Sequence, residues 1–303
     1  MTKSKKSATH KQYGTYIAAW MDHCHIHSIN PTSPTVPQAL TFLDTIRVSR
    51  NLGYNALNTA RSALSALLPP VGGIPFGKNP HVKLYMRGAF HERPPCPRYS
   101  DTWDPKTVLN LLKTWAPPQT LDLKTLTFKV LMLMLLVSGQ RISTMFLIDL
   151  DHVHVHDSHF VVDLVEELKQ SRPGYRNPRL QFRAFVHDVE LCVVRYFKAY
   201  LVRTQAIRGS VKKLFLTIKP PHTGASKDSL TRWVRSTMNS AGIDTTVYRP
   251  HSVRSASTSA AKRGGASVTE IMNSAGWSRD STFTRYYDRP VVDNMYDVAV
   301  LHV

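Results

Sequence analysis

The segment Arg93-Pro94-Pro95-Cys96-Pro97-Arg98 constrains the fold of this chain most. Three prolines within four positions fix φ and remove backbone donors, so neither a helix nor a central strand can run through it. It reads as a linker, with a domain at residues 1–98 before it and a second at 99–303 after it. With 303 residues, 42% of them apolar, the chain has material for a core on each side.

Before the linker the apolar period is helical. Tyr13, Tyr16, Ile17, Trp20, Met21 and Cys24 recur at the spacing of one helix face, and Asn30-Pro31 closes that stretch. Thr35 with Gln38 forms a capping-box pattern ahead of Leu40, Leu43 and Ile46. After Gly53, the residues Leu57, Ala60, Leu64, Leu67 and Leu68 predict a third helix, ended by Pro69-Pro70 and Gly72-Gly73. A short fourth helix is expected around residues 81–90. In the run His23-Cys24-His25-Ile26-His27, Cys24 lies on the apolar stripe and no second ligand pair follows. It reads as a buried cysteine with surface histidines, and no metal site is expected.

Charge narrows the function. Lys and Arg number 39 against 21 Asp and Glu, a formal charge of +18. Residues 1–98 hold 12 against 3 and residues 99–303 hold 27 against 18, so each part carries +9 and the shorter one is denser. Such an excess calls for a polyanionic partner, nucleic acid before an anionic membrane. The richest apolar run, residues 130–137, is too short to cross a bilayer, and the N-terminus lacks the apolar core of a secretory signal. Cys24, Cys96 and Cys192 make no disulfide framework, so an intracellular, reducing compartment is expected. The Lys3–Lys6 cluster fits a nuclear address or a solvated basic tail.

In the second part, Asp104-Pro105 opens a helix with a cap and a first-position proline, and the chain stays helical to about Asp149. Residues 154–168 and 179–186 alternate, with turn-rich residues between them, predicting a two-stranded hairpin. His152, His154 and His156 would then share one strand face. Residues 189–208 return to a helical period. The expected fold is mostly α with a small antiparallel β-sheet.

The chemistry concentrates near the C-terminal end. His251 and Arg254 are three apart at the start of a helix whose next residues, 255–261, are small enough for deep burial. A cation placed for burial needs an anion. The helix ends at Gly264-Gly265, and Ser267 with Glu270 caps the next. Gly276-Trp277 and Ser281-Thr282-Phe283-Thr284-Arg285-Tyr286-Tyr287-Asp288-Arg289-Pro290 follow.

With these segments, Ser138-Gly139-Gln140-Arg141 and Lys169, the chain resembles the tyrosine recombinase (phage integrase) family along nearly its whole length. The wording of Gly276-Trp277-Ser278, Tyr287-Asp288-Arg289-Pro290, Lys169-Gln170-Ser171-Arg172-Pro173-Gly174 and Arg61-Ser62-Ala63-Leu64-Ser65 is similar to recombinases of DIRS-type retrotransposons. The resemblance implies a helical DNA-clamping domain followed by an α+β catalytic domain. It implies a site-specific recombinase or integrase that cuts and rejoins double-stranded DNA through a 3′-phosphotyrosine, for mobilising a transposable element. It would act in the nucleus as a tetramer in the synaptic complex, with no cofactor and no membrane partner. On this pattern Arg141 and Arg254 hold the phosphate, Lys169 protonates the leaving oxygen, and His251 assists proton transfer. Trp277 would offer its indole N–H to the phosphate.

Two points depart from the family pattern. Three residues after the first arginine stands Thr144, where an acid is usual; its hydroxyl can accept a bond but compensates no charge. Two adjacent tyrosines compete for the nucleophile. They point about 100° apart on a helix; the expectation falls on Tyr287, with Tyr286 as the alternative. Arg172, Arg176, Arg179 and Arg183 around the hairpin turn suit either phosphate contact or a solvated turn, and Lys212-Lys213, Arg232 and Arg235 are similar. Tyr54, Asn55, Asn58 and Arg61 line the outer face of the third helix as candidates for the major groove. The final residues 291–303 carry Val292, Met295, Val298 and Leu301 at helical spacing, expected to pack on a neighbouring subunit or on their own domain. The competing readings are a recombinase-derived DNA-binding protein without catalysis, a type IB topoisomerase-like enzyme, and an unrelated basic RNA-binding helical protein. Against the last, the chain lacks the aromatic strand signatures of common RNA modules.

Overall fold

The computed structural model describes residues 7–96, 99–168, 171, 177–277 and 280–290. The chain divides into two compact units, Met1–Pro97 and Arg98–Val303. Among the described residues it is mostly helical, with one small antiparallel sheet.

The first unit packs α1 (Ser7–Ile26), α2 (Val36–Ser49), α3 (Tyr54–Leu67) and α4 (Pro80–Glu92) around Trp20, Phe42, Leu43, Leu57, Leu64 and Val82. The capping box expected at Thr35 and Gln38 starts α2, and Asn79 caps α4. Along α1 the buried stripe is narrower than its periodicity predicts: Trp20 and Cys24 are inside, but Met21 is exposed. His23 corrects the expectation of surface histidines. It is buried against Trp20 and Phe42, and burial first, then the neighbouring His27, pushes its pKa down.

The second unit is built on α6 (Leu123–Ser138), buried nearly all round because the apolar residues 130–136 leave it no polar face. Around it lie α5 (Pro105–Thr114), α7 (Ile142–Leu147), α8 (Val193–Gln205), α9 (Lys227–Ser240), α10 (Ser252–Arg263), α11 (Val268–Ala275) and α12 (Asp280–Tyr286). The caps expected at Asp104 and at Ser267 with Glu270 are both formed. Among the described residues no helix is long and apolar enough to cross a membrane. Lys129 lies on the buried helix with no exposed surface. Its ammonium donates to the Trp115 carbonyl at 2.6 Å and sits 3.6 Å from the centroid of the Tyr196 ring, and burial pushes its pKa down to about 8.

The sheet corrects the hairpin expectation. Residues 154–168 do not form one strand: β1 (Val153–Val155) and β2 (His159–Asp163) are separate antiparallel strands, and β3 (Arg179–Arg183) pairs with β2. Asp157-Ser158 supply the tight turn that the alternating valines concealed, with the His156 amide donating to the His159 carbonyl at 2.8 Å. The three histidines therefore do not share a strand face. His152 ends the 3-10 turn Leu150–His152, His154 is in β1, and His156 sits in the turn stacked on His159. Phe160 stacks on Phe182 and Phe197, tying the sheet to α8.

Candidate active site

Gly139 stops α6 in the left-handed conformation at φ +59°, a conformation that a side chain rarely adopts. A Cβ there would also come within 2.9 Å of the Thr258 methyl on α10. The stop brings Arg141 to the N-cap of α7 and lets α10 approach the end of α6. On α10, whose inner face is serine, alanine and threonine, Arg254 is 1% exposed. Its guanidinium donates to the Gly139 carbonyl at 2.7 Å and to the Ala275 carbonyl at 2.9 Å. Those carbonyls lie at the C-terminal ends of α6 and α11, where helix dipoles are negative.

Thr144 bonds a neighbouring side chain rather than an arginine. Its hydroxyl is buried and donates to Gln140 Oε1 at 3.2 Å, while Gln140 Nε2 donates to the Ser274 carbonyl. The threonine braces the turn that carries Arg141; the acceptors that orient Arg254 are two helix-end carbonyls. Burial first, then the nearby Arg141 charge, pushes Arg254 down to about 9, still a cation at neutral pH.

The doubled tyrosine is divided by the structure. Tyr287 lies just past the end of α12, and its hydroxyl is 3.2 Å from His251 Nε2. Its ring packs at a tilt on Trp277, 4.6 Å between centroids, and Trp277 also packs on the Arg254 guanidinium at 4.2 Å. The Ser255 and Ser259 hydroxyls of α10 both donate to the Tyr287 carbonyl. Tyr286 is 56% exposed and does not line the cleft that contains Tyr287. The Trp277 Nε1–H is buried and has no acceptor among the described residues.

Arg141, His251, Arg254 and Tyr287 share a cleft of about 400 Å³. Its lining adds Lys227, Thr231 and Arg235, one face of α9, together with Arg249, and contains no carboxylate. Sequence reasoning missed α9 and with it Lys227 and Thr231, although Leu230, Val234 and Met238 at helical spacing after Ser226 could have found the helix. A cleft with this lining is suited to an anion whose oxygens spread over several donors, such as a phosphodiester.

Other expected contacts fall elsewhere. Lys169, Arg172 and Arg176 lie outside the described residues, as do residues 291–303. Near the first three, Ser171 and Asn177 brace the chain: Asn177 Nδ2 donates to the Leu164 and Glu166 carbonyls, and Ser171 Oγ donates to Asn177 Oδ1. Arg179 is exposed on β3 and pairs with Asp163 at 3.0 Å. Lys212 and Lys213 are paired with Asp151 and Glu166. In the first unit Asn58 is half-buried, and Arg61 is engaged internally. Its guanidinium donates to the Gly77 carbonyl at 2.8 Å and to Ser62, while Ser65 takes the Gly77 amide. These bonds hold the 3-10 turn Phe76–Lys78 against α3.

Comparison with known proteins adds an independent line. The model of the Phage integrase family matches residues 103–291. No curated protein matches the sequence. Among solved structures, XerH site-specific recombinase in a post-cleavage complex with a palindromic difH substrate is similar over 97% of this chain and 79% of its own, at 10% identity and a TM-score of 0.63. The Tn1549 transposon integrase in complex with transposon right end DNA is similar over 99% and 94%, at 13% identity and 0.61. A lambda integrase tetramer bound to a Holliday junction is similar over 96% and 75%, at 15% identity and 0.54. At such identities these are likenesses of fold.

Proposed function

Because the chain belongs to the phage integrase family, the tyrosine recombinases, we propose that it cuts and rejoins double-stranded DNA with Tyr287 as the nucleophile. One observation carries the assignment: Tyr287 Oη lies 3.2 Å from His251 Nε2, in the cleft that also holds Arg141 and Arg254. The tyrosine oxygen attacks the phosphorus and its proton passes to His251. The P–O5′ bond breaks, a 3′-phosphotyrosine forms, and Lys169 protonates the departing 5′-oxygen. Arg141 and Arg254 neutralise the non-bridging oxygens as charge builds on them. A 5′-hydroxyl from another strand reverses the steps, and the phosphodiester energy is retained in the protein link. Trp277 packs on both Arg254 and Tyr287, and on the family pattern its indole N–H would reach a phosphate oxygen.

Lys227, Arg235 and Arg249 extend the cationic lining of the cleft and receive the neighbouring phosphates. The DNA-bound recombinases of like fold support DNA as the substrate, and the lambda integrase tetramer supports assembly of four copies on two duplexes. The wording of the motif segments supports a role in moving a DIRS-type element in the nucleus. A nicked duplex that traps the covalent complex tests the proposal. Wild type and Tyr286→Phe should form an adduct and Tyr287→Phe none. An adduct lost only in Tyr286→Phe would transfer the nucleophile to that residue. No adduct from wild type on any DNA, the element's own ends included, would leave a DNA-binding protein without catalysis.

A further inference from the structure

Four hydrogen bonds tie one short segment to both sides of the reacting pair. Residues 99–103 run beside residues 248–252, the loop that carries His251. Tyr99 Oη accepts from the Arg249 amide at 3.1 Å, Asp101 accepts from the Tyr248 hydroxyl at 2.6 Å, and the Trp103 indole donates to Ser252 Oγ at 2.9 Å. From the same segment the Thr102 amide donates to the Pro290 carbonyl at 2.8 Å, three residues beyond Tyr287. Trp103, Thr102 and Ser252 are all buried, and the Tyr99 and Tyr248 rings pack 5.6 Å apart.

We infer that residues 99–103 form a positioning strap that sets the distance between His251 and Tyr287, with the Trp103–Ser252 hydrogen bond as its main fastening. The inference rests on the reading of His251 and Tyr287 as the reacting pair. His251 is the N-cap of α10, and Ser252 is that helix's first residue. The direction of the imidazole therefore follows the first turn of α10, which the Ser252 amide closes onto the Arg249 carbonyl at 2.7 Å. A buried bond to the Ser252 hydroxyl prevents that turn from rolling. The bond to Pro290 does the same for the chain leaving Tyr287, whose carbonyl α10 already holds through Ser255 and Ser259. The turn that carries the histidine is a helix end, and helix ends fray unless they are tied down. Neither Trp103 nor Ser252 lines the cleft, so their effect on the reaction passes through His251 and Tyr287.

Two variants of the full chain test this. Trp103→Phe keeps an aromatic ring in the core and deletes the N–H, and Ser252→Ala deletes the acceptor. The readouts are the imidazole ¹⁵N resonances of His251 in DNA-free protein, DNA affinity, the melting temperature, and the single-turnover rate of adduct formation on a nicked duplex. His251 is assigned with a His251→Gln control. The strap predicts that both variants move the His251 resonance in the same direction and keep wild-type affinity. It also predicts that each lowers the adduct rate about tenfold, with the double variant no slower than either alone. A His251 resonance unchanged in both variants overturns the strap. So does a rate loss that merely follows the melting temperature. If wild type forms no adduct, the recombinase reading fails and the resonance comparison alone decides the strap.

Discussion

At the scale of the residue, Arg254 is the side chain under most tension between burial and charge. A guanidinium with 1% exposure, crowded by a second cation, is tolerated because two helix-end carbonyls and an indole face surround it. Lysine cannot bond both carbonyls and still present a planar pair of donors to a phosphate. Arg254→Lys should therefore lower adduct formation by roughly a hundredfold or more in single turnover. Thr144→Ala should behave differently. It removes one buried bond to Gln140 and should cost about 1 kcal/mol in urea unfolding, with the adduct rate changed less than threefold. A rate collapse in Thr144→Ala would mean that the hydroxyl does more for Arg141 than brace its turn.

At the scale of the element, α6 and α9 make opposite kinds of prediction. The buried helix α6 carries Lys129, whose folded pKa of about 8 lies below its ordinary value of 10.5. The unfolded chain thus binds more protons between these values, so the cost of burying this group is full below pH 8 and is relieved as pH rises from 8 to 10.5. Urea unfolding at pH 7.5 and 10 should show that relief in wild type, on the order of 2–3 kcal/mol. Lys129→Met should flatten it and stabilise the protein at pH 7.5, since it removes a charge with no exposed surface. Helix α9 contributes at its surface. Arg235→Gln and Arg249→Gln should each weaken DNA binding across sequences and reduce the slope of log affinity against log salt by about one. Slopes unchanged in both would remove the lining of the cleft from the DNA path. The helix was legible in the sequence, with a Ser226 cap and inward residues Leu230, Val234, Thr237 and Met238 at helical spacing, but the basic residues on its other face read as a solvated surface.

At the scale of the whole molecule, the two units have separate hydrophobic cores with no residue in common. Calorimetry should resolve two unfolding transitions, and a fragment of residues 98–303 should keep one of them. A single cooperative transition in the full chain would contradict independent cores. By itself the sequence determined the capped helix starts at Thr35, Asp104 and Ser267, and the chain order of Arg141, His251, Arg254 and the paired tyrosines. Each of these is written in residues close together or in a pattern with fixed chemistry. Only the tertiary structure decided which tyrosine faces His251, that Arg61 holds a turn, that His23 is buried, and that residues 154–168 hold two strands. It also decided that carbonyls at the ends of α6 and α11 hold Arg254. Those outcomes depend on side chains and backbone groups that meet from distant parts of the chain, and such meetings leave no local period or spacing to read.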